Sequence, residues 1–123
     1  MLRRLAELKI KLFADGADKT QILRFYANPL IRGFTTNPTL MRSAGVKNYE
    51  AFAREILDVI RDRPISFEVF ADNFGEMERQ ARKIAAWGEN VYVKIPISNT
   101  KRQSSMELAG QLAHDAARSG YQL

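Results

Sequence analysis

Residues 91–98 read Val91-Tyr92-Val93-Lys94-Ile95-Pro96-Ile97-Ser98, and the lysine in this otherwise apolar run decides the reading of the fold. Side chains along a strand alternate between the two faces of a sheet. A strand over Val91–Ser98 puts Val91, Val93, Ile95 and Ile97 on one face, and Tyr92, Lys94 and Ser98 on the other. An amine inside a strand is costly to bury as a cation unless it is paired or neutralised. Its partners must then come from other strands, and the same alternation finds them. Leu8–Asp15 sets Leu8, Ile10, Leu12 and Ala14 against Lys11, Phe13 and Asp15. Pro64–Ala71 sets Ile65, Phe67, Val69 and Ala71 against Ser66, Glu68 and Phe70. In Ile31–Asn37, Gly33, Thr35 and Asn37 share a face.

Amphipathic segments separate these strands. A helix over Lys19–Ala27 is ended by Asn28-Pro29, and Asp18 is placed to cap it. After a loop through Gly45, Tyr49–Arg63 reads as a helix with Phe52, Ile56, Val59 and Ile60 inward. Glu76–Trp87 turns Met77, Ala81, Ile84 and Ala85 inward and stops at Gly88, and Ser104–Arg118 does the same with Leu108, Ala109, Leu112 and Ala116. His114 falls on the outer side of this last helix. Gly120-Tyr121-Gln122-Leu123 reads as a helix stop and the opening of a further strand. Strand–helix alternation without hairpin signals means a parallel sheet. The expectation is an α/β chain of four (β/α) units, a single half-barrel domain over residues 1–123.

If the aliphatic faces meet the helices, the opposite faces gather Asp15, Thr35, Asn37, Glu68 and Lys94 near the carboxyl ends of the strands. Parallel α/β proteins place their sites there. A structural Lys94–Glu68 or Lys94–Asp15 ion pair is the simpler account of those charges. Two carboxylates, an amide and hydroxyls on one face add a chemical account: a lysine made nucleophilic by desolvation attacks carbonyls, and carboxylates move the protons.

Composition narrows the alternatives. The chain has no cysteine and one histidine, which excludes disulfides, thiolate zinc and a histidine-cluster metal site. The P-loop and dinucleotide glycine patterns are absent, and Asp15-Gly16-Ala17-Asp18 reads as a turn rather than a calcium loop. The N-terminal run is interrupted by Glu7, Lys9 and Lys11, making a poor signal peptide, and no segment is apolar enough to span a membrane. A cytoplasmic protein is the expectation. Net charge is +5 with an isoelectric point near 9.7, which raises nucleic acid as a partner. Arg24, Arg54 and Arg79 are instead scattered among acids on helix faces, the pattern of a solvated surface.

The strand motifs resemble those of the transaldolase and fructose-6-phosphate aldolase family. The resemblance runs from the first strand to the end of the chain and rests on KLFAD (residues 11–15), GFTTNPTL (33–40), FEVFA (67–71) and VYVKIPI (91–97), in that order. It implies an eight-stranded barrel enzyme of which this chain holds about half. It implies that Lys94 forms a Schiff base with a ketose, and that Asp15 takes the proton from the substrate hydroxyl as the carbon–carbon bond breaks. Glu68 would act through a water, and Thr35, Asn37 and Ser66 would orient the substrate. Glutamate at position 68 favours the transaldolase branch, because the aldolases usually carry glutamine there. The substrates implied are sugar phosphates exchanging a dihydroxyacetone unit, with no metal or organic cofactor. Gly16 departs from the family pattern, as does the polar connection Asn99–Ser105. The family's later segments, among them an Asn-x-Thr strand and a phosphate-binding serine and arginine, are absent from these residues. An open half-barrel exposes sheet edges and its inner face, so self-association or pairing with a missing C-terminal half is expected. The rival readings are a non-catalytic half-barrel used in binding or assembly and, ranked last, a basic nucleic-acid-binding module.

Overall fold

The computed structural model describes Arg4 and residues 7–119, with the backbone alone for 117–119. The further strand expected at Gly120–Leu123 lies outside these residues. Helix starts are set by one repeated device: a side-chain oxygen just before the helix accepts the amide three residues on, a cap of about 1 kcal/mol each. Asp18 accepts from Gln21, Asn37 from Leu40, Asn48 from Ala51 and Asn73 from Glu76. They open α1 (Lys19–Tyr26), α2 (Pro38–Ser43), α3 (Tyr49–Val59) and α4 (Phe74–Ala85). α5 (Met106–Ser119) follows the last strand.

The strands are β1 (Leu12–Asp15), β2 (Ile31–Thr35), β3 (Ile65–Glu68) and β4 (Val91–Lys94). They form a four-stranded sheet in the order β1-β2-β3-β4, every pair parallel, as expected for half of a (β/α) barrel. The aliphatic faces of the strands do meet the helices. Phe34, Ile65, Phe67, Val69, Val91 and Val93 are buried in one cluster with Ile22, Met41, Ile56, Met77, Ile84 and Leu112. His114 is exposed, as its position on α5 implies. Several arginines stand in helix-surface pairs, Arg54–Glu50, Arg79–Glu76 and Arg82–Glu78, the scattered-charge pattern read from the sequence. No helix among the described residues is long and apolar enough to cross a membrane.

Several expected elements are shorter, for local reasons. β1 begins at Leu12 rather than Leu8, because its first partner is Ile31 and residues 28–30 are a turn closed by the Ile31 amide on Asn28. Ile10 is consequently exposed. β4 stops at Lys94: Pro96 has no amide to give and restrains Ile95. Ile97 is 76% exposed and leaves the aliphatic face where it was expected. β3 ends at Glu68, short of Ala71, since the Phe70 and Ala71 amides turn to Gln80 Oε1 at 2.8 and 2.9 Å. β2 ends at Thr35 because Asn37-Pro38 starts α2, a helix expected to be loop. α3 ends at Val59, with Ile60 already extended, so its buried stripe is Ala53, Ile56 and Leu57 and Val59 faces solvent.

One feature of β1 and β2 shapes the inner face. Leu12 pairs with Ile31 but Phe13 with Gly33, so Arg32 is the extra residue of a bulge. The Phe13 ring lies over Gly33, where a Cβ would come within 2.5 Å of it.

Candidate active site

The register places the inner-face residues in two rungs. Asp15 pairs with Thr35, Thr35 with Ser66, and Ser66 with Tyr92, forming the lower rung. Glu68 pairs with Lys94 one step nearer the carboxyl ends. In the lower rung the Thr35 hydroxyl donates to Asp15 Oδ1 at 2.8 Å. In the upper one, Lys94 Nζ stands 3.8 Å from Glu68 Oε2, an ion pair at longer than hydrogen-bond distance. β1 and β4 are three strand spacings apart, roughly 14 Å along a flat sheet. Asp15 and Lys94 thus approach only as far as the sheet curls, and the partner Asp15 has here is Thr35.

Two expectations change. Lys94 is the last residue of β4, not a mid-strand lysine, and its side chain is 39% exposed against 22% for Glu68. Water reaches the amine. Asn37 has left the strand to cap α2, its side-chain oxygen accepting the Leu40 amide at 2.9 Å. It still lines, with Glu68, Ser98 and Thr100, a cleft of about 590 Å³ at the carboxyl ends of the strands. Ser66 lies lower, beside Phe13 and Tyr92, in a second hollow of about 550 Å³ that Lys11 and Arg32 also line.

Two supports were not anticipated from the residues. The Tyr49 hydroxyl donates to the Glu68 carbonyl at 2.9 Å, and burial pushes its pKa well above the usual 10.0. Its ring packs edge-on against Phe70, with centroids 4.1 Å apart, and tilted against Trp87. The base of the Glu68 side chain is thereby pinned from the helix layer. Asp72 accepts both the Thr100 amide and the Thr100 hydroxyl, and these bonds hold its carboxyl below the ordinary 3.8. A tyrosine opening a helix was a visible signal, though only the fold shows which carbonyl it meets.

Residues 12–117 match the Transaldolase/Fructose-6-phosphate aldolase family. The chain belongs to that family. Among curated proteins, a probable transaldolase of Dehalococcoides mccartyi is 31% identical over 109 residues, covering 89% of this chain and 49% of that protein. A probable transaldolase of Thermoplasma volcanium is 39% identical over 92 residues, 73% of this chain and 41% of its own. One from Hyphomonas neptunium is 40% identical over 91 residues, covering 72% and 40%. The chain therefore spans half or less of these transaldolase-family relatives. The matched residues take in β1 to β4 and both rungs of polar side chains.

Proposed function

We propose that Lys94 is the Schiff-base amine of a transaldolase-type reaction, transferring a dihydroxyacetone unit between sugar phosphates. The amine adds to the ketose carbonyl, and the carbinolamine loses water to give an iminium ion. Glu68, 3.8 Å from Nζ, serves as the group that moves those protons through a water. Asp15 then takes the proton of the hydroxyl beside the scissile bond. That bond breaks, its electron pair flows into the iminium as an enamine, and an aldose phosphate leaves. Addition of the enamine to a second aldose phosphate, with return of the proton, and hydrolysis of the new iminium complete the transfer. The iminium is the electron sink, so the scheme needs no metal or organic cofactor. Thr35 orients Asp15 through its 2.8 Å bond, while Asn37 and Ser66 orient substrate hydroxyls.

The observation that supports this reading is the Glu68–Lys94 pair at matched register with Asp15 and Thr35 on the same side of the sheet. Because the chain spans under half of its relatives, turnover is proposed for a complete barrel, formed with a C-terminal half or a second copy. Partly exposed Phe13 and Tyr92 on the inner face favour such a cover. Sugar phosphates are too charged to cross membranes unaided, and the reaction is accordingly assigned to the cytoplasm. The test is borohydride reduction of the complete protein with fructose 6-phosphate. An adduct on Lys94, lost in Lys94→Met, is expected; an unlabelled Lys94 defeats the proposal. The second reading is a non-catalytic half-barrel used in binding, and the 39% exposure of Lys94 is what favours it.

A further inference from the structure

The strands deliver Glu68 and Lys94 side by side but stop there. The last backbone rung between their chains is the Val69 amide on the Lys94 carbonyl, 3.2 Å long. Beyond it the chains part, one turning to Gln80 and the other entering Pro96. They rejoin where Asp72 Oδ1 accepts the Thr100 amide at 2.7 Å and Oδ2 accepts the Thr100 hydroxyl at 2.5 Å. The Thr100 side of this junction is stiff. Asn99 is buried, and its Oδ1 accepts the amides of Lys101 and Gln103 at 3.0 and 2.9 Å. Ser98 bridges to Ser104, and the turn is completed by Arg102 at a φ of 62°.

We propose that the Asp72–Thr100 pair is a latch that positions the Lys94 amine against the Glu68 carboxylate, by closing the two loops that leave them. It rests on the reading of Lys94 as the Schiff-base amine. The ion pair at 3.8 Å is too long to lock its own geometry. Two charge-assisted bonds from one carboxylate to one residue are short and directional, and they fix the loop ends that carry both side chains. Placement errors of about 1 Å at a reacting centre can cost roughly a hundredfold in rate, so a support of this kind can matter without touching substrate. The bonds lower the pKa of Asp72, so the latch is ionised throughout the neutral range.

The test uses this chain with dihydroxyacetone and cyanoborohydride, reading the rate of adduct formation at Lys94 by peptide mapping. Asp72→Ala loses both bonds and is expected to slow trapping about tenfold. Thr100→Val keeps the amide bond and falls between, whereas Thr100→Ser keeps both and matches the unsubstituted chain. Circular dichroism checks that each variant is folded; should Asp72→Ala not fold, Thr100→Val against Thr100→Ser carries the comparison. Equal rates in all the folded variants overturn the latch. Should the unsubstituted chain trap no ketone, the Schiff-base reading is decided by the borohydride test on the complete protein. The latch is then judged by reductive methylation of Lys94 with formaldehyde. Glu68→Gln should change that rate about threefold in the unsubstituted background and much less in Thr100→Val, as for residues coupled through a shared contact. The same change in both backgrounds overturns it.

Discussion

The two halves of the inner face are built differently. On β1 and β2, Asp15 and Thr35 sit at matched register and close a 2.8 Å hydrogen bond, so the pair is complete within the sheet. On β3 and β4, Glu68 and Lys94 are equally matched in register but stand 3.8 Å apart, with Tyr49 bracing one side and Asp72–Thr100 joining the loops above. Register alone brings both pairs together. What differs is the tether: a finished bond joins Asp15 to Thr35, while the Glu68–Lys94 pair is longer and the segments carrying it are bonded from outside the sheet.

Substitutions can break this contrast from either side. The largest effect is expected at Gly33, which lets the Phe13 ring lie on β2. Gly33→Val puts atoms into that ring and should cost about 1–3 kcal/mol by chemical denaturation, as overpacking does, with Phe13→Ala recovering part of it. An unchanged midpoint would mean that the β1–β2 half is not packed as described. On the other half, Tyr49→Phe removes the donor to the Glu68 carbonyl and should cost about 1 kcal/mol, as for an ordinary hydrogen bond. Its slowing of Lys94 trapping should exceed that of any change at the exposed Lys19–Glu55 pair.

The smallest effect is a titration. Asp72 has its folded pKa depressed below the ordinary 3.8, chiefly by the Thr100 hydroxyl and then by the Thr100 amide. A depressed carboxylate stabilises the folded state above its unfolded pKa, and loses that contribution as pH falls through the folded value. The Thr100 amide should therefore stay protected from hydrogen exchange, corrected for intrinsic rates, down to about pH 4 and lose protection only below it. Loss beginning near pH 6 would contradict the assignment.

Much of this was legible beforehand because alternation in a strand is a local rule. The sides taken by Ile65, Phe67 and Val69, by Val91 and Val93, and by Glu68 and Lys94 follow from it directly. The motifs around Asp15, Thr35, Asn37 and Lys94 carried the family. Other features depend on partners distant in sequence. Ile97 alternates correctly, but β4 ends at Lys94, ahead of Pro96, and its side chain is left exposed. The exposure of Lys94 depends on where the strand ends. Asn37 had two readings, strand residue and helix cap, and Pro38 decided for the cap. Asp72 and Thr100 lie 28 residues apart with no periodicity to connect them.

The central claim is that Glu68 and Lys94 are lateral neighbours on one face of the sheet. The chain has no cysteine, so paired substitutions report on it cleanly. Glu68→Cys with Lys94→Cys should close an intramolecular disulfide under mild oxidation, since side chains at matched register meet the roughly 4.4–6.8 Å Cα separation such a bond requires. Glu68→Cys with Val93→Cys, whose side chains face opposite ways, should remain reduced. Ready closure of the second pair and none of the first would show that the lysine does not share a face with that acid, and the proposed site would go with it.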